Sequence, residues 1–581
     1  MPLRPPPALR SALLALLCVL LLTGTPAVLW GGALLGAGTA DIWGHSWTYW
    51  WTWEALSSGA FPLHGAPLRH PDGQSWWIID LPVALLLTPI TALFGAGLAY
   101  NAAALGHVAL GAGGLTAWLT RRGVSIAHAT CAGVLAATSP FVRGALTSGV
   151  PEALVVLLAP AYALALEAGL RRGGRALLGA GLLGALLCLD GAYGGLIGGL
   201  VGATVTGALL VERLRVPDGE AGSPGLGRRA LRAALAALPA GAAVAASKAA
   251  LDATAHPALT RDTPIARHAE PWWALQASGG ADLASLALPA PLLPLEIAAP
   301  TDHRHVVFVG AVLLLGVLAS LRWRAARAPA ALALAAALLS LGPVIRLQGT
   351  GVAWSPPAQV LSELGARNLY RVAGLLPVAG LAALALAWHR RRMLWAVWLA
   401  VAVEGLWLAP IPLQLPVTPD PTGAVEAWLA AQPEPGAVLD LPLDHEGTAA
   451  RGTHPQQTLH LQTSHGRPIA SGLYPPAFSE ELPGPLRRLD HAIVVARKHA
   501  HQAAQGGRGR RPDVPVPPPP PGAACARMKA ELRDAGFAFV TLRGEAVPAD
   551  QQGAVRAWVE ACFGAPSQTA GDRSAWRIGP P

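Results

Sequence analysis

Residues 11–53 read SALLALLCVLLLTGTPAVLWGGALLGAGTADIWGHSWTYWWTW and decide the class of the protein. The apolar run from Leu13 to about Gly38 is long enough to cross a hydrocarbon core of about 30 Å. Arg4 and Arg10 precede the run, as basic residues precede the apolar region of a signal peptide. Because the run is long for a signal peptide and ends on a polar, Trp-rich segment, we interpret it as an uncleaved signal anchor with a cytoplasmic N-terminus.

The whole chain repeats this apolar character. Hydrophobic residues make up 52% of the 581 residues and charged residues only 13%, with a mean hydropathy of +0.41. A soluble protein carries about a quarter charged residues, so an ordinary soluble enzyme is excluded. The composition predicts a polytopic α-helical membrane protein. Its net charge of +9 comes mostly from arginine clusters between apolar segments, which orient membrane proteins, and is not a nucleic-acid footprint.

About eleven transmembrane helices are predicted from the apolar segments. They are residues 11–36, 98–119, 124–142, 152–169, 175–189, 193–212, 231–249, 305–321, 328–346, 370–388 and 393–410. Arginine clusters such as Arg121-Arg122 separate the segments on one side, which the positive-inside rule makes cytoplasmic. With the N-terminus inside, an odd number of spans places the C-terminal region outside.

One further apolar segment, Leu81 to Gly95, is interpreted as a re-entrant or juxtamembrane helix. It is only 15 residues long and contains Pro82 and Pro89. A full span here would also move the arginine cluster after residue 119 to the outside. The predicted outer loops are residues 39–98, which include this helix, 250–304 and 347–369.

The chain therefore divides into a transmembrane domain, residues 1–411, and a hydrophilic extracytoplasmic domain, residues 412–581. Strand-like stretches at 437–441 and 537–542 between helical patterns predict an α/β fold for the second domain. Residues 506–522 are Arg-rich and then Pro-rich, which predicts a flexible or polyproline linker. Cys525 and Cys562 could form a disulfide if this domain is exported.

The segment after the first span carries the strongest chemical signal. Asp41 and His45 are four residues apart, so a helix places them on one face at the membrane surface. Trp47 and Trp50 follow, and an interfacial aromatic belt explains such tryptophans but not the carboxylate. An ionisable pair at that depth is costly unless it is paired, hydrated or used. Two interpretations of Asp41 remain open from chemistry alone, a functional carboxylate and a hydrogen-bonded helix cap.

The order of features resembles the C-type (GT-C) glycosyltransferase superfamily. An acidic residue opens the first outer loop, and a Trp-rich helix, a Pro-Asp-Gly turn and a Leu/Pro-rich re-entrant helix follow it. The matching stretches are Asp41 to Trp51, His70-Pro71-Asp72-Gly73, Ala99-Tyr100-Asn101, Leu341-Gly342-Pro343, Arg367 to Arg371, Leu439-Asp440-Leu441-Pro442 and His465 to Ile469. The pattern is most similar to a bacterial branch with an Asp, His and Trp first-loop motif, in which Gly usually stands where this chain has Ala40.

The resemblance implies a fold and an activity. In that superfamily the outer loops of a membrane bundle form the active site, and the donor is usually a sugar on a polyprenyl phosphate. It implies Asp41 as the base, because a hydroxyl is a poor nucleophile until a carboxylate removes its proton. His45 would orient the base or contact the donor phosphate, and Trp47 and Trp50 would help to bind the donor.

Further residues at outer span ends are candidates for the same site. Arg367 and Arg371 could form a two-pronged clamp for the donor phosphate or could be snorkelling interface residues, and Lys248 has the same ambiguity. Glu152 and Asp190 are either caps or loop residues, or acids that bundle packing carries close to Asp41.

Asp80 opens the predicted re-entrant helix and is interpreted most simply as its N-cap. No cofactor is certain, although carboxylates could hold Mg²⁺ or Mn²⁺. The histidines of the C-terminal region, including His460 and His465, are interpreted as surface residues because none has ligand spacing near a cysteine.

Two other functions stay open, a lipid-linked oligosaccharide transporter or flippase, and a non-catalytic GT-C-like protein that binds lipid-linked sugar. A transporter places charges at the bilayer midplane and uses paired broken helices, whereas here ionisable residues gather at outer span ends. The expected partners are membrane lipids, a polyprenyl-phosphate sugar donor and a glycan, lipid or protein acceptor. The arginine-rich, lysine-poor composition indicates a bacterial plasma membrane, with the C-terminal domain periplasmic or extracellular.

Overall fold

The computed structural model describes residues 5–38, 41–71, 73–75, 80–214, 226–254, 280–288, 292, 307–348, 350–363, 369–443, 457–472, 482–504 and 515–578. Up to about residue 408 these residues are mostly apolar helices. From residue 417 onward they form a mixed α/β unit, called the outer unit below after the side of the membrane that the sequence predicts for it.

The helices of the first part vary widely in length. They are α1 (Pro7–Thr23), α2 (Ile42–Ser57), α3 (Leu81–Leu86), α4 (Thr88–Phe94), α5 (Ala96–Arg121), α6 (Ile126–Ala137), α7 (Pro140–Thr147), α8 (Ala159–Arg172), α9 (Gly174–Asp190), α10 (Ala192–Leu214), α11 (Leu226–Thr254), α12 (Ala311–Ser320), α13 (Arg327–Ser340), α14 (Pro356–Glu363), α15 (Leu375–Trp388) and α16 (Leu394–Val403). A 3₁₀ helix, Pro151–Leu158, runs directly into α8, and another, Leu369–Gly374, runs into α15.

Five helical stretches of the described residues are long and apolar enough to cross a membrane. They are Ala96–Arg121, Pro151–Arg172, Tyr193–Glu212, Gly227–Ala246 and Leu369–Trp388. Shorter apolar helices accompany them at Pro7–Thr23, Ala311–Ser320 and Leu394–Leu408. The protein is therefore a helical membrane protein, and in the stretch Leu369–Trp388 every residue from 369 to 386 is buried.

Glycine and proline shorten several of the predicted spans. The predicted span 11–36 ends as a helix at Thr23, because Gly24 adopts a φ of 65° and Pro26 follows it. The predicted span 124–142 divides at Pro140, whose ring cannot continue the hydrogen-bond ladder of α6. In the predicted span 328–346 the helix ends at Ser340, and residues 344–347 form a strand. Helices thus lie in all eleven predicted segments, but the described part of the chain does not contain eleven full-length spanning helices.

The segment predicted to be re-entrant forms two short helices, α3 and α4. They separate at Leu87, because Pro89 lacks the N–H that a continuous helix would use there. With six and seven residues, neither helix is long enough to cross a membrane.

Six short strands precede the sheet of the outer unit in the described residues. They are β1 (Ala33–Leu35), β2 (His64–Gly65), β3 (Gln74–Ser75), β4 (Val344–Leu347), β5 (Thr350–Trp354) and β6 (Val417–Pro419). The outer unit is built on the next four strands, which form a mixed sheet of order β7-β8-β10-β9. Its strands are β7 (Ala437–Leu441), β8 (Phe537–Arg543), β9 (Gln568–Ala570) and β10 (Arg573–Arg577), and only the β7–β8 pair is parallel. Its helices are α17 (Ala424–Ala430), α18 (Gln457–His465), α19 (Gly484–Ala504), α20 (Gly522–Asp534) and α21 (Gln552–Phe563). Both stretches that the sequence predicted as strands, 437–441 and 537–542, are strands of this sheet.

The predicted linker 506–522 lies partly outside the described residues, which resume at 515. Residues 515–521 form neither helix nor strand, and Val516 packs against the core of the outer unit. Gly522 is already the first residue of α20. This last part of the predicted linker is therefore packed, because the polyproline run leads directly into a helix held by a disulfide.

The outer unit and the predicted first outer loop are joined by backbone pairing. Strand β1 (Ala33–Leu35), which follows the first apolar helix, pairs antiparallel with β6 (Val417–Pro419) at the start of the outer unit. Farther along, the His70 amide donates to the Ile469 carbonyl at 2.9 Å, and the Ile469 amide donates to the Pro67 carbonyl at 2.8 Å. The first loop is thus anchored on both sides of α2.

The Cys525–Cys562 disulfide joins α20 to α21, with Cα atoms 5.1 Å apart. Because the cross-link closes a sequence separation of 37 residues, Cys562→Ser should lower the stability of the outer unit by about 3–4 kcal/mol. Denaturant unfolding followed by hydrogen exchange of β8 measures the loss. The control is Cys188→Ser, which alters a free cysteine of α9 and should leave β8 unchanged. Two free thiols in exported protein, found by non-reducing mass spectrometry, would contradict the prediction.

Candidate functional site

Helix α2 presents a polar stripe on one face. His45 and Tyr49 are four residues apart, and Asp41 lies four residues before His45 at the N-cap position. The His45 and Tyr49 side chains are buried, whereas Asp41 is only partly buried. The carboxylate of Asp41 makes no capping hydrogen bond and no hydrogen bond to a described residue. The alternative that Asp41 is a hydrogen-bonded helix cap is therefore wrong.

The start of α2 is held by the tight loop that carries Glu152. The Asp41 amide donates to the Ser148 carbonyl at 3.2 Å. Gly149 has a φ of 61°, and a Cβ there would collide with the backbone and side chain of Ile42. Only glycine allows this close approach, which brings Glu152, at the start of a 3₁₀ helix, beside the polar stripe.

The imidazole of His45 lies between two carboxylates. Its Nδ1 is 2.8 Å from Asp80 Oδ2, and its Nε2 is 3.0 Å from Glu152 Oε2. Arg371 then extends the chain of charges, because its Nη1 donates to Glu152 Oε1 at 2.7 Å. The Arg371 guanidinium also lies over the ring of Tyr193, 4.7 Å from its centroid. These residues form the charged cluster Asp80–His45–Glu152–Arg371.

The cluster has acceptor atoms that no described residue satisfies. Both carboxylate oxygens of Asp190 are buried without a hydrogen bond, and so is Asp80 Oδ1. The Tyr49 hydroxyl is likewise buried without a partner. Asp190 belongs to the same site, because its carbonyl accepts a hydrogen bond from the Asp80 amide at 3.3 Å. Buried polar atoms normally have partners, so these atoms mark a place where a ligand, water, ion or proton belongs.

The surroundings keep His45 charged and Tyr49 neutral. Burial lowers the pKa of His45, but the carboxylates of Glu152 and Asp80 outweigh it and raise the pKa well above 6.5. Burial also raises the pKa of Asp80, against the lowering by the adjacent imidazolium. Burial, together with the nearby carboxylates, raises the pKa of the Tyr49 hydroxyl well above 10. At neutral pH His45 is therefore a cation that is hydrogen-bonded to Asp80 and ion-paired with Glu152.

Three acids that the sequence left ambiguous meet in this site. Asp80 precedes α3, as an N-cap would, but its φ is 64° and its side chain makes no capping hydrogen bond. Its role as an N-cap is therefore wrong, because the side chain turns to His45 instead. Glu152 and Asp190 are buried members of the site and are neither solvated nor capping residues.

The predicted cations have different outcomes. Arg371 is 8% exposed and ion-paired, so the alternative that it snorkels to the interface is wrong. Its Nη2 makes no hydrogen bond to a described residue. Arg367 lies in 364–368, outside the described residues. Lys248 falls in α11, but its side chain is outside the described part of the chain.

Trp47 and Trp50 face away from the charged cluster. Trp47 is fully buried, and its indole N–H donates to Gln462 Oε1 of the outer unit at 2.7 Å. Trp50 is 9% exposed and packs beside Trp47, with ring centroids 6.0 Å apart. A direct role for these side chains in donor binding therefore has no support in the geometry, because their surface is already covered by protein.

Sequence reasoning missed three residues and misplaced two histidines. Tyr49 continues the i, i+4 spacing of Asp41 and His45, and that spacing could have identified it. Gln462 had no sequence signal. His460 and His465 were expected on the surface but are 2% and 9% exposed, because α18 packs against α2. Tyr193, which stacks on Arg371, also had no signal of its own.

The site contains donors that suit a divalent cation. Ligand atoms of His45, Asp80 and Glu152 lie within 4.8 Å of one another. Both nitrogens of His45 already contact carboxylates, so the available ligand atoms are carboxylate oxygens. They are Asp80 Oδ1, both oxygens of Asp190, and Glu152 Oε2, which has only its ion-pair contact to His45. Carboxylate oxygens are the ligands that Mg²⁺ and Mn²⁺ prefer, so these residues fit such an ion.

No protein-family model matches the chain, and no curated protein sequence matches it. Among solved structures, it is similar to the Archaeoglobus fulgidus oligosaccharyltransferase crystallised with zinc and sulfate, at 14% identity and a TM-score of 0.47, covering 96% of this chain and 70% of that one. The same archaeal enzyme, AglB, with an inhibitory peptide and a dolichol-phosphate matches at 12% identity and a TM-score of 0.48, covering 95% and 71%.

The mycobacterial arabinofuranosyltransferase AftD, in a mutant form, matches at 15% identity and a TM-score of 0.47. That match covers 99% of this chain but only 41% of AftD. At these identities and TM-scores the likeness does not assign an activity, so the activity has to be inferred from the side chains of the site.

Proposed function

We propose that this protein is a membrane glycosyltransferase. It transfers a sugar from a polyprenyl-phosphate-linked donor to an acceptor hydroxyl on the outer face of the membrane. The observation that carries the proposal is the position of Asp41, an unpartnered and accessible carboxylate one helical turn from a buried cluster of fixed charges. An accessible base beside a buried, charged site is what a hydroxyl nucleophile requires.

Asp41 is the proposed base. An acceptor hydroxyl bound at the rim of the site donates a hydrogen bond to the Asp41 carboxylate. As the oxygen attacks the anomeric carbon, its proton passes to Asp41, and the bond from that carbon to the donor phosphate breaks. The carboxylate is suited to this role because no capping hydrogen bond holds it in the folded protein.

Arg371 and His45 supply the positive charge for the leaving phosphate. Glu152 engages Nη1 of Arg371 and leaves Nη2 without a described partner, so one edge of the guanidinium is available to a phosphate oxygen. His45 adds a second cation nearby. Glu152 fixes the two cations in place because it contacts both, which reduces the reorganisation needed when the phosphate departs.

Asp80 and Asp190 would provide the ligands for a divalent cation. Such an ion would supply further electrostatic stabilisation of the phosphate. The residues of the chain provide the carboxylate oxygens for it, which are buried and unpartnered.

The location of the charges supports an enzyme over a transporter. The charged cluster joins α2, the residue before α3 and the N-terminal ends of two long helical stretches. Asp190, the last residue of α9, lies beside it. In the proposed orientation, with a cytoplasmic N-terminus, all these ends lie on the outer side. A flippase would need charges along a path through the bilayer.

The direct test is transfer by purified protein. Detergent-solubilised protein is incubated with a panel of radiolabelled polyprenyl-phosphate sugars, and loss of donor is scored with and without added glycan, lipid or peptide acceptors. Acceptor-dependent loss of one donor supports the proposal. Movement of lipid-linked sugar across vesicles without chemical change would favour the transporter instead.

Asp41→Asn should lower turnover by about 10²–10⁴-fold, because the amide keeps the shape of the side chain but accepts no proton. Binding of polyprenyl phosphate should change little, since the proposed phosphate contacts are made by other residues. Glu54→Gln is the matched control, because it neutralises another acid of α2 that lies outside the charged cluster. Turnover of Asp41→Asn within a few fold of wild type, in normally folded protein, would remove Asp41 from the mechanism.

Arg371→Ala should weaken binding of polyprenyl phosphate by about 2–4 kcal/mol, because a buried charge contact to the phosphate is lost. Equilibrium binding to radiolabelled polyprenyl phosphate measures the effect. Glu152→Gln distinguishes a phosphate-binding role of Arg371 from a structural role in its ion pair, because it breaks the ion pair but leaves the guanidinium charged. We expect binding to persist in Glu152→Gln. Equal losses in both variants would assign Arg371 a structural role only.

His45 should make stability depend on pH. Its native pKa is raised above the unfolded value of about 6.5, so its stabilising contribution is complete below that pH and is lost as pH rises through the native pKa. Thermal unfolding of wild type and His45→Gln over a pH series tests this. The difference in Tm should be largest below about pH 6.5 and should shrink at alkaline pH. A difference that grows with pH would show that His45 is neutral in the folded protein.

A further inference from the structure

The face of α2 opposite the polar stripe is covered by the outer unit. Helix α18 packs along it, although the two helices are more than 400 residues apart in sequence. Trp43 and Trp47 of α2 and Gln462 and His460 of α18 are all buried at this contact. The side chains that hold α2 from behind are therefore supplied by the outer unit.

Gln462 makes the most directional of these contacts. Its Oε1 accepts the indole N–H of Trp47 at 2.7 Å. Its amide Nε2 donates to the Pro67 carbonyl at 2.9 Å and to the Arg467 carbonyl at 2.8 Å. One side chain thus joins α2, the first outer loop and the chain that follows α18. Both Trp47 and Gln462 are fully buried, so each hydrogen bond is costly to lose.

His460, two residues before Gln462, makes a second set of contacts. Its Nδ1 is hydrogen-bonded to Ser46 Oγ at 2.8 Å, and the Ser46 hydroxyl also contacts the Trp43 carbonyl at 2.9 Å. The other nitrogen, Nε2, lies 3.3 Å from Asp420 Oδ1. The ring also contacts Trp43, with centroids 5.3 Å apart. Ser46 is the neighbour of His45, so this contact acts on the helix at the charged cluster.

We propose that α18 of the outer unit positions α2 for catalysis, with Gln462 and His460 as positioning residues. The proposal rests on the proposed function, because it concerns the placement of Asp41 and His45. Neither residue touches the charged cluster. They fix the rotation of α2 about its axis and its position along that axis, through Trp47 and Ser46. A displacement of α2 by about 1 Å would misplace the base and lower turnover by about 10²-fold.

The test compares Gln462→Ala with Gln552→Ala in the full-length protein in detergent. Gln552 is a matched control, because its amide also donates to two backbone carbonyls, those of Gly544 and Val547, but only within the outer unit. Hydrogen–deuterium exchange of residues 42–57 reports the order of α2 without any need for activity. Turnover with the donor found in the panel and binding of radiolabelled polyprenyl phosphate are measured on the same samples.

For Gln462→Ala we expect faster exchange in α2, a fall in kcat of about 10–100-fold and unchanged binding of polyprenyl phosphate. Gln552→Ala should match wild type in all three measurements. His460→Asn retains a hydrogen-bonding group near the position of Nδ1 and should keep more activity than His460→Ala. Trp47→Phe removes the same hydrogen bond from the other partner, so the test stays decisive if Gln462→Ala does not fold.

Unchanged exchange in α2 would overturn the proposal, and so would faster exchange with normal turnover, since the contact would then be structural only. A loss of phosphate binding as large as the loss of kcat would also overturn it. If the wild-type protein transfers no sugar from any donor, the proposed function fails, while the exchange measurements still decide whether α18 holds α2.

Discussion

The position of His45 between the carboxylates of Asp80 and Glu152 is the constraint on which the rest of the site depends. A buried cation must be compensated, and each nitrogen of this ring has one carboxylate to satisfy it. Glu152 in turn requires Arg371. Satisfying these charges brings together α2, the residue before α3, the 3₁₀ helix before α8 and the one before α15. Removing one partner would leave an unpaired charge in a site that water does not reach freely. The four elements must therefore keep their positions relative to one another.

The local part of this arrangement could be predicted from the sequence. The spacing of Asp41 and His45 requires only a helix, and it correctly places both on one face, with Tyr49 as the next residue of the same stripe. The partners could not be predicted, because no local pattern links them. Asp80 is 35 residues from His45, and Arg371 is 219 residues from Glu152. An isolated acid at the end of an apolar segment has the same sequence context whether it is a cap, a loop residue or part of a buried site.

The same reasoning explains why the tryptophans and histidines were misplaced. Tryptophan at a span end fits a lipid interface, and polar histidines in a hydrophilic domain fit a solvated surface. In this fold the two surfaces cover each other, with Trp43 beside His460 and Trp47 bonded to Gln462. The indole N–H of a buried tryptophan needs an acceptor, and the outer unit supplies it. Composition describes a surface as it would stand alone and does not reveal which second surface will cover it.

Helix α2 is therefore a two-sided element, and its two sides have connected roles. Charges on one face attract and stabilise anions more strongly when water is kept away from them, because the local dielectric is then lower. The aromatic face provides that exclusion by packing under α18, while β1–β6 pairing fixes the chain before α2 to the same outer unit. Asp41 stands at the end of the helix where this cover is incomplete, since it alone of the stripe is not fully buried. The polar stripe thus combines protected charges with one accessible carboxylate, that of Asp41. A change in the outer unit would reach that carboxylate through the helix that carries it.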